Sequence, residues 1–278
     1  MNHKTLKMKT QLIKLRIKNQ NQIINVFLMT LFLSLSINVN AQEDTIKNIL
    51  DRFASDYKND PMFKSNQYFG IEVDKEMWKI EAISATDKSP SQISITKGTP
   101  NTPTFYYVTN LRTLKQLDKG ELNPLTAGVK AFSTDYAPLD IEAMDGFQPS
   151  QEFVGNVLAF TFHFFTKGTP EIVPFGQHHT RGTHGAQASI FYYDTGLRTG
   201  YGYLHPGQHA NEHPLSKTNP FSSMIILIKG KVTARLNDID YIIEAGNAFF
   251  IPPGMTHEIL NPNNEAAEFI LLMFGEGA

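Results

Sequence analysis

The chain has 278 residues, of which 41% are hydrophobic, with 25 Lys and Arg, 27 Asp and Glu, and no Cys. This length and composition fit one large or two ordinary globular domains. The missing cysteines exclude disulfide bonds, thiolate metal sites and a lipid-modified cysteine anchor. Several common enzyme motifs are also absent, namely the Gly-x-Ser-x-Gly elbow, the phosphate-binding loop, His-Glu-x-x-His and the dinucleotide fingerprint.

Residues 1–41 predict a secretory signal peptide. Six basic residues and no acidic residue occur in this stretch, and Ile23 to Ile37 form a mostly apolar run before Val39-Asn40-Ala41. The run is shorter than the roughly 20 residues that a membrane span needs. We therefore expect cleavage after Ala41 and export to a bacterial periplasm or to the medium. The alternative is a retained membrane anchor.

Cleavage changes the charge of the chain. The 25 basic residues less these six leave 19, against 27 acidic residues, so the mature chain carries about eight net negative charges. This balance argues against nucleic acid and against an anionic membrane surface as partners. After cleavage we expect no membrane span, and the partner is a small-molecule or lipid-like ligand.

Residues 42–147 predict an α+β domain. Asp44 to Tyr57 has apolar residues at helical spacing after an acidic start, which indicates an amphipathic helix. Four strands and a second helix follow: strands Tyr68 to Val73, Met77 to Ile83, Gln92 to Thr96 and Phe105 to Val108, and helix Asn110 to Leu117.

The order of these elements and the passage Gly120 to Ala127 resemble the sterol carrier protein type 2 domain. The resemblance implies a twisted sheet with helices on one side and an apolar tunnel for a lipid. It departs after Ala127, where the family usually continues with a Gly-Lys-like turn and a further strand. On this resemblance the candidate ligand-binding residues are Trp78, Phe105 and Leu111. The alternative is that these apolar side chains simply fill a core.

Residues 148–168 predict a Phe-rich helix that links two domains. Gln148 to Lys167 carries apolar residues at helical spacing on two adjoining stripes, and Ser150 is the expected N-cap. Such a wide apolar surface has to be buried, and we expect it to pack between the domains. Gly168-Thr169-Pro170 ends the helix and marks the boundary.

Residues 169–278 predict an all-β barrel or sandwich, because short strands alternate with Gly, Pro and Asn turns. The expected strands are Ala188 to Asp194, Thr199 to Leu204, Ser223 to Ile228, Lys231 to Leu236, Asp240 to Glu244, Ala248 to Ile251, Thr256 to Leu260 and Glu268 to Phe274.

The most informative stretch is Gly246 to Asn261, which reads Gly-Asn-Ala-Phe-Phe-Ile-Pro-Pro-Gly-Met-Thr-His-Glu-Ile-Leu-Asn. Proline fixes φ and glycine accepts a positive φ, so Pro-Pro-Gly is a rigid turn. In the strand after it, alternation puts His257 and Ile259 on one face. A polar histidine beside an apolar residue indicates the interior of a small barrel that keeps one imidazole for a ligand.

This stretch resembles the second signature motif of the cupin family at every fixed position: Gly246, Pro252, Gly254, His257 and Asn261. The resemblance implies a jelly-roll barrel made of two antiparallel sheets. In many cupins the histidine of this motif binds a metal together with two histidines and a glutamate of an earlier motif. Cupins also commonly form homodimers through the barrel.

The earlier motif is degraded in this chain. Spacing from Gly207 and from Gly230 puts His213, Leu215 and Ser223 at the positions of its three ligands. Leucine and serine do not replace an imidazole and a carboxylate, and divalent transition metals usually need three or more protein ligands. The loss of two ligands favours binding without a metal.

A metal site remains the alternative. His205, His209 and His213 lie within nine residues, and Glu212 adjoins the last of them. An irregular segment could bring His209 or Glu212 beside His213 and His257. Such a site would hold one divalent ion, that is iron, manganese, nickel or zinc. Otherwise these are loop histidines at the barrel mouth. A second cluster, His178 to His184, is expected to be a solvent-facing loop.

The sequence therefore supports two main hypotheses. In the first, an exported protein binds a small or apolar ligand in one or both domains and does no chemistry. In the second, it is a metal-dependent cupin enzyme of the oxygenase or isomerase type, in which the metal acts as a Lewis acid or activates oxygen. A structural role through dimerisation of barrels is a third, weaker hypothesis.

Overall fold

The computed structural model describes residues 42–130, 132, 134–168 and 172–278. The chain divides into two compact units, Met1–Asn48 and Ile49–Ala278. The predicted signal peptide, residues 1–41, lies outside the described residues. Among the residues that are described, no helix has the length and the apolar character needed to cross a bilayer.

The first part of the larger unit combines a five-stranded sheet with helices. The sheet order is β3-β2-β1-β4-β5, and every pair is antiparallel except the parallel pair β1 and β4. Helix α1 (residues 42–57) begins in the smaller unit and continues into the larger one. The other elements are β1 (Gln67–Val73), β2 (Glu76–Ile83), β3 (Gln92–Lys97), β4 (Phe105–Thr109), α2 (Leu111–Asp118), α3 (Pro124–Gly128), β5 (Asp140–Ala143) and α4 (Gln151–Phe165).

Three of these helices begin at a side chain that caps them. The side-chain oxygens of Asn110, Asn123 and Ser150 accept hydrogen bonds from the first backbone N–H groups of α2, α3 and α4. Each cap satisfies a donor that the helix cannot pair internally. The predicted cap at Ser150 is confirmed, with its Oγ 3.0 Å from the backbone nitrogen of Phe153.

The core of this part is an aromatic cluster between the sheet and α4. Phe69 stacks on Phe105 with ring centroids 5.5 Å apart, and Phe160 and Phe164 each meet Phe69 edge to face at 5.1 Å. Such edge-to-face pairs are favoured by the ring quadrupoles. The cluster ties the linking helix to the first sheet.

The residues proposed to line a lipid tunnel lie on β2, β4 and α2. Trp78 and Phe105 are buried, 2% and 8% exposed, and Phe105 is surrounded by other aromatic rings. Leu111 is half-buried at the first position of α2. The neighbours of Phe105 are aromatic rings, and a ligand-binding role for these three residues stays a prediction.

The second part is a barrel of two facing β-sheets. One sheet has the order β13-β10-β15-β8-β7-β6 and the other β12-β11-β14-β9. An α+β part followed by an all-β jelly roll is the fold class that the sequence predicts, and it is confirmed. The strands are β6 (Arg181–Thr183), β7 (Ala186–Asp194), β8 (Leu197–Leu204), β9 (His209–Ala210), β10 (Ser222–Lys229), β11 (Lys231–Leu236), β12 (Ile239–Glu244), β13 (Ala248–Ile251), β14 (His257–Leu260) and β15 (Ala267–Phe274).

The barrel core is formed by alternate residues of these strands. Ile225 and Leu227 of β10 pack with Val232 of β11, Ile259 of β14 and Phe269 of β15, and all five are buried. Successive side chains of a strand point to opposite faces, so a residue in step with these faces the interior. This rule fixes which polar residues of the same strands point inward.

Helices α3 and α4 pack against one end of the six-stranded sheet. Phe162 and Leu158 of α4 contact a cluster that contains Ile190 and Met273 of the barrel. The buried hydroxyl of Thr126 in α3 accepts a hydrogen bond from the backbone nitrogen of Ile190 at 3.0 Å, and lies 3.4 Å from its carbonyl oxygen. The hydroxyl of Thr126 thus bonds the backbone of β7 at Ile190 in the way that a neighbouring strand would.

We predict that Thr126→Val lowers the free energy of unfolding by about 1–3 kcal/mol, because it leaves both backbone groups of Ile190 buried without a partner. Thr199→Val is the matched control. The hydroxyl of Thr199 is buried and has no partner among the described residues, so its loss should be neutral or stabilising. Urea denaturation of both variants measures the difference. Equal effects of the two substitutions would contradict the assigned role of Thr126.

Candidate functional site

The barrel encloses a cavity of about 300 Å3. Its walls are mainly apolar side chains of both sheets and of the segment that follows α3. The apolar lining includes Leu125, Val129, Ile225, Ile251, Ile259, Phe269, Leu271 and Met273. A concave apolar site with a few polar groups is the usual form of a small-molecule pocket. The polar groups of the lining therefore decide what the cavity can hold.

His257 presents an imidazole to this cavity. It is 3% exposed and lies on β14 in step with Ile259, so it faces the interior. Its Nδ1 is 3.1 Å from the carbonyl oxygen of Met255. A carbonyl only accepts, so Nδ1 carries the hydrogen, and the neutral ring keeps Nε2 as a free acceptor. The backbone thus selects the tautomer of the one histidine that the second motif supplies.

Burial controls the charge of His257. Desolvation lowers the pKa of His257 below its ordinary value of 6.5, and the hydrogen bond to Met255 offsets only part of this shift. The imidazole is therefore neutral at neutral pH. In this state the ring can accept a hydrogen bond from a ligand or take up a proton from it.

Ser223 is the second polar group of the interior. It lies on β10 in step with Ile225 and Leu227, and it is only 2% exposed. Its Oγ is buried and has no hydrogen-bond partner in the part of the chain that the structure describes. The predicted spacing of the earlier motif puts a glutamate at this position. The cavity wall has a hydroxyl there.

His184 joins the cavity from the turn between β6 and β7. His184 and Gly185 have φ of 50° and 78° between the paired residues Thr183 and Ala186, which is a two-residue hairpin turn with both φ positive. The side chain of His184 lines the cavity, and its buried Nδ1 has no described partner. The expectation that this histidine faces solvent is therefore wrong.

The environment of His184 also disfavours its charged form. Burial lowers its pKa, Asp135 acts in the opposite direction, and His257 adds a further lowering effect. The two imidazoles are thus close enough to influence each other. Both are held neutral inside the barrel near pH 7.

Arg198 is the charged group that sequence reasoning missed. It begins the inward-facing series Arg198, Gly200 and Gly202 on β8 and lines the cavity. Gly202 leaves space for the ring of Phe269, because a β-carbon at Gly202 would lie 2.1 Å from that ring. The guanidinium is 5.6 Å from the ring centre of Tyr193, and its Nε is buried without a partner. The signal that could have found it is a basic residue in phase with the inner face of a barrel strand.

The segment after α3 closes the cavity on one side, and Arg181 of β6 holds that segment. Its guanidinium donates to the carbonyl oxygens of Thr126 at 3.1 Å and of Val129, and also lies 3.4 Å from that of Tyr136. One planar group with several N–H donors can satisfy carbonyls that no helix or strand pairs. The guanidinium of Arg181 is thus paired with backbone carbonyls, whereas Nε of Arg198 has no partner among the described residues.

The structure does not bring the predicted metal residues together. Ala210 belongs to the barrel core, so its neighbour His209 points outward, where its Nε2 is 2.6 Å from Glu258 Oε2. His213 is exposed and caps the 3-10 turn Pro214–Ser216, where its Nδ1 accepts a hydrogen bond from the backbone nitrogen of Leu215 at 3.2 Å. Only His257 of the three proposed ligands lines the cavity.

Comparison with known proteins identifies the second part of the chain. The family described as Cupin domain matches residues 201–273. Residues 201–273 form a cupin domain. No curated protein matches the chain. A cupin 2 conserved barrel domain protein from Salinispora arenicola is 18% identical, with a TM-score of 0.34, and the match covers 39% of this chain and 91% of that one.

Two further solved structures are similar over the cupin barrel. An RmlC-like cupin from Shewanella frigidimarina is 16% identical, with a TM-score of 0.30 and coverage of 34% and 80% of the two chains. A predicted oxalate decarboxylase from Thermotoga maritima is 20% identical, with a TM-score of 0.29 and coverage of 32% and 79%. At these values the likenesses carry no information about ligand or reaction.

The donor set of this cupin barrel does not fit the metal that cupins commonly bind. Within residues 42–130, 132, 134–168 and 172–278, no group of three or more His, Cys, Asp and Glu side chains could hold a metal ion. At the earlier motif, Ser223 supplies a hydroxyl and Leu215 is exposed. His257 therefore lacks the partners that a three- or four-ligand site requires.

We predict that His257→Gln makes folding less sensitive to acid. In the unfolded chain histidine titrates near 6.5, whereas the folded protein holds His257 at a lower pKa. Below pH 6.5 the unfolded state binds more protons, so stability falls as the pH falls and is level above that window.

Urea denaturation at pH 7.5 and pH 5.5 measures this loss. His257→Gln should lose less stability between the two pH values than the wild type. His184→Gln should change in the same direction, because burial also lowers the pKa of His184. A pH-dependent loss as large in His257→Gln as in the wild type would contradict the burial of a neutral imidazole.

Proposed function

We propose that the cupin barrel binds a small organic ligand in its interior cavity, with His257 and Ser223 as polar contacts and without assured catalysis. The single observation that supports this most is the buried hydroxyl of Ser223, which has no described partner and lines an apolar cavity. A buried polar group without a partner costs about 1–3 kcal/mol. A ligand that hydrogen-bonds the hydroxyl would remove this cost.

The size of the cavity sets the size of the ligand. A cavity of about 150 Å3 is large enough for benzene. The cavity here has about twice that volume, so it fits an organic molecule of about 10–15 non-hydrogen atoms. We propose a compact ligand with an apolar body and a few polar atoms.

The hypothesis of a metal-dependent oxygenase or isomerase receives less support. It needs His209 or Glu212 beside His213 and His257, and the outward direction of His209 toward Glu258 does not favour this arrangement. A second ligand of lipid type in the sterol-carrier-like part stays a prediction. Export through residues 1–41 also stays our proposal, and it implies that the protein meets its ligand outside the cytoplasm.

Ser223→Leu and Ser222→Leu test the cavity. Both place the same side chain on β10, but Ser223 faces the interior while Ser222 is absent from the cavity lining. A fragment library of about 10–15 non-hydrogen atoms is screened by ligand-observed NMR against the wild type. Ser223→Leu should lose the hits because leucine fills space and removes a donor. Ser222→Leu should keep them.

The proposal fails if the hits bind Ser223→Leu as well as the wild type. Circular dichroism of the two variants controls for misfolding. A folded Ser223→Leu that still binds would place the ligand elsewhere.

We also propose the homodimer that the cupin resemblance implies, through the exposed edge of β12. Its side chains Ile239, Tyr241 and Ile242 are 57%, 46% and 67% exposed, and β12 pairs only with β11 among the described strands. An exposed apolar edge strand is a ready site for pairing with a second chain.

Ile242→Lys should convert the dimer to a monomer, because a charge on the edge opposes strand pairing. Ile83→Lys makes the same substitution in the first sheet, where Ile83 is 37% exposed, and should leave the assembly unchanged. Sedimentation velocity measures both. A wild type that sediments as a monomer over the micromolar range would contradict the dimer.

A further inference from the structure

We propose that the ligand of the barrel is a small carboxylate, whose anionic group pairs with Arg198 while its apolar body lies between Arg198 and Ser223. This inference rests on the proposed function and adds the chemical class of the ligand. It is carried by the position of Arg198, by the absence of acidic residues around it, and by the strand register that joins it to Ser223.

Arg198 is a cation without a counter-ion in the part of the chain that the structure describes. None of the ion pairs among the described residues includes it, and its Nε is buried without a hydrogen-bond partner. Its described neighbour is the ring of Tyr193, at 5.6 Å from the guanidinium carbon. A ring face attracts a cation but does not accept the in-plane N–H bonds of a guanidinium. Arg198 is half-buried, and an arginine withdrawn from water to this extent is normally paired.

The cavity supplies no protein carboxylate to pair with it. No described residue of the lining is Asp or Glu. The other cation of the lining, Lys130, has its ammonium 2.6 Å from Asp140. Burial disfavours the charged forms of His184 and His257 by lowering their pKa. Arg198 is therefore the cation that a ligand must neutralise, and that ligand must be anionic.

The strand register shows how such a ligand would lie. Arg198 of β8 is directly paired with Met273 of β15, and Met273 is directly paired with Ser223 of β10. The three side chains form one row across adjacent strands on the inner face. Neighbouring strands are about 4.8 Å apart, so the backbones of Arg198 and Ser223 are about 10 Å apart. Met273 and Leu271 provide the apolar floor between them.

The groups at the two ends of this row, the guanidinium of Arg198 and the hydroxyl of Ser223, favour a carboxylate over a phosphate. A guanidinium offers two parallel N–H groups that match the two oxygens of one carboxylate. A phosphate ester would need further donors for its remaining oxygens, and Ser223 lies about 10 Å away at the level of the backbone. The apolar floor suits a hydrocarbon or aromatic body. A molecule with a short chain between a ring and a carboxylate meets these requirements.

The test compares acids with their amides. Phenylacetate, 3-phenylpropanoate and 4-phenylbutanoate and their primary amides are titrated by calorimetry into the wild type, Arg198→Gln, Arg198→Lys and Arg235→Gln. Arg235 is the control, because its exposed guanidinium is already paired with Asp240 at 2.7 Å. A charge-assisted bond strengthens binding by about tenfold to a hundredfold.

We expect at least one acid to bind the wild type tenfold or more tightly than its amide. Arg198→Gln should abolish this preference while its affinity for the amide changes less than about twofold, which also shows that the variant is folded. Arg198→Lys should restore only part of the preference, because an ammonium lacks the planar fork. Arg235→Gln should match the wild type.

Two results would overturn the inference. The first is equal binding of acid and amide by the wild type, or binding of no acid at all. The second is a preference for the acid that survives in Arg198→Gln. Neither result removes the proposed binding cavity, whose own test is the loss of fragment hits in Ser223→Leu.

Discussion

Helix α4 has two apolar faces, and the need to bury both shapes the larger unit of the chain. Phe160 and Phe164 pack against the aromatic layer of the first sheet, while Leu158 and Phe162 pack against the barrel. Neither part of the unit could bury both faces of this helix alone. Helix α4 therefore also bounds the cavity. Together with the segment after α3, it covers the end of the six-stranded sheet where Arg198 lies.

The barrel interior then differs from an ordinary core in one respect. Most of its inward positions carry apolar side chains that contact each other, as buried polar groups are costly unless paired. Ser223, His184 and Arg198 break this rule, and each has a buried polar atom without a partner among the described residues. Departures of this kind from local rules are expected at functional sites, where a ligand completes the hydrogen bonding.

The sequence predicted most of the fold because its signals are local. Alternation and turn residues located the main strands of all three sheets, and Ser150 located the start of α4. The short strands β5, β6 and β9 and helix α3 were missed, since they have two to five residues and are held by contacts distant in sequence. Thr126, which reaches Ile190 across 64 positions, is one such contact.

The candidate site was predictable only in part. The second signature motif indicated that His257 faces the interior, because the period of a strand fixes it relative to Ile259. Counting along the degraded motif also identified Ser223. The same counting could not show that His213 lies exposed on a turn, because a 3-10 turn interrupts the strand pattern there. Arg198 was missed because its lack of a partner is a property of the folded chain.

An organic anion bound between Arg198 and Ser223 can be observed directly. The most direct measurement is a crystal structure of the protein purified from a bacterial periplasm without chelator and without added ligand, with an X-ray fluorescence scan of the same crystal. We expect elongated density along Met273, with one end within hydrogen-bond distance of the guanidinium, and no metal signal. Density for a metal ion on His257, or Arg198 turned out of the cavity onto a protein carboxylate, would contradict it.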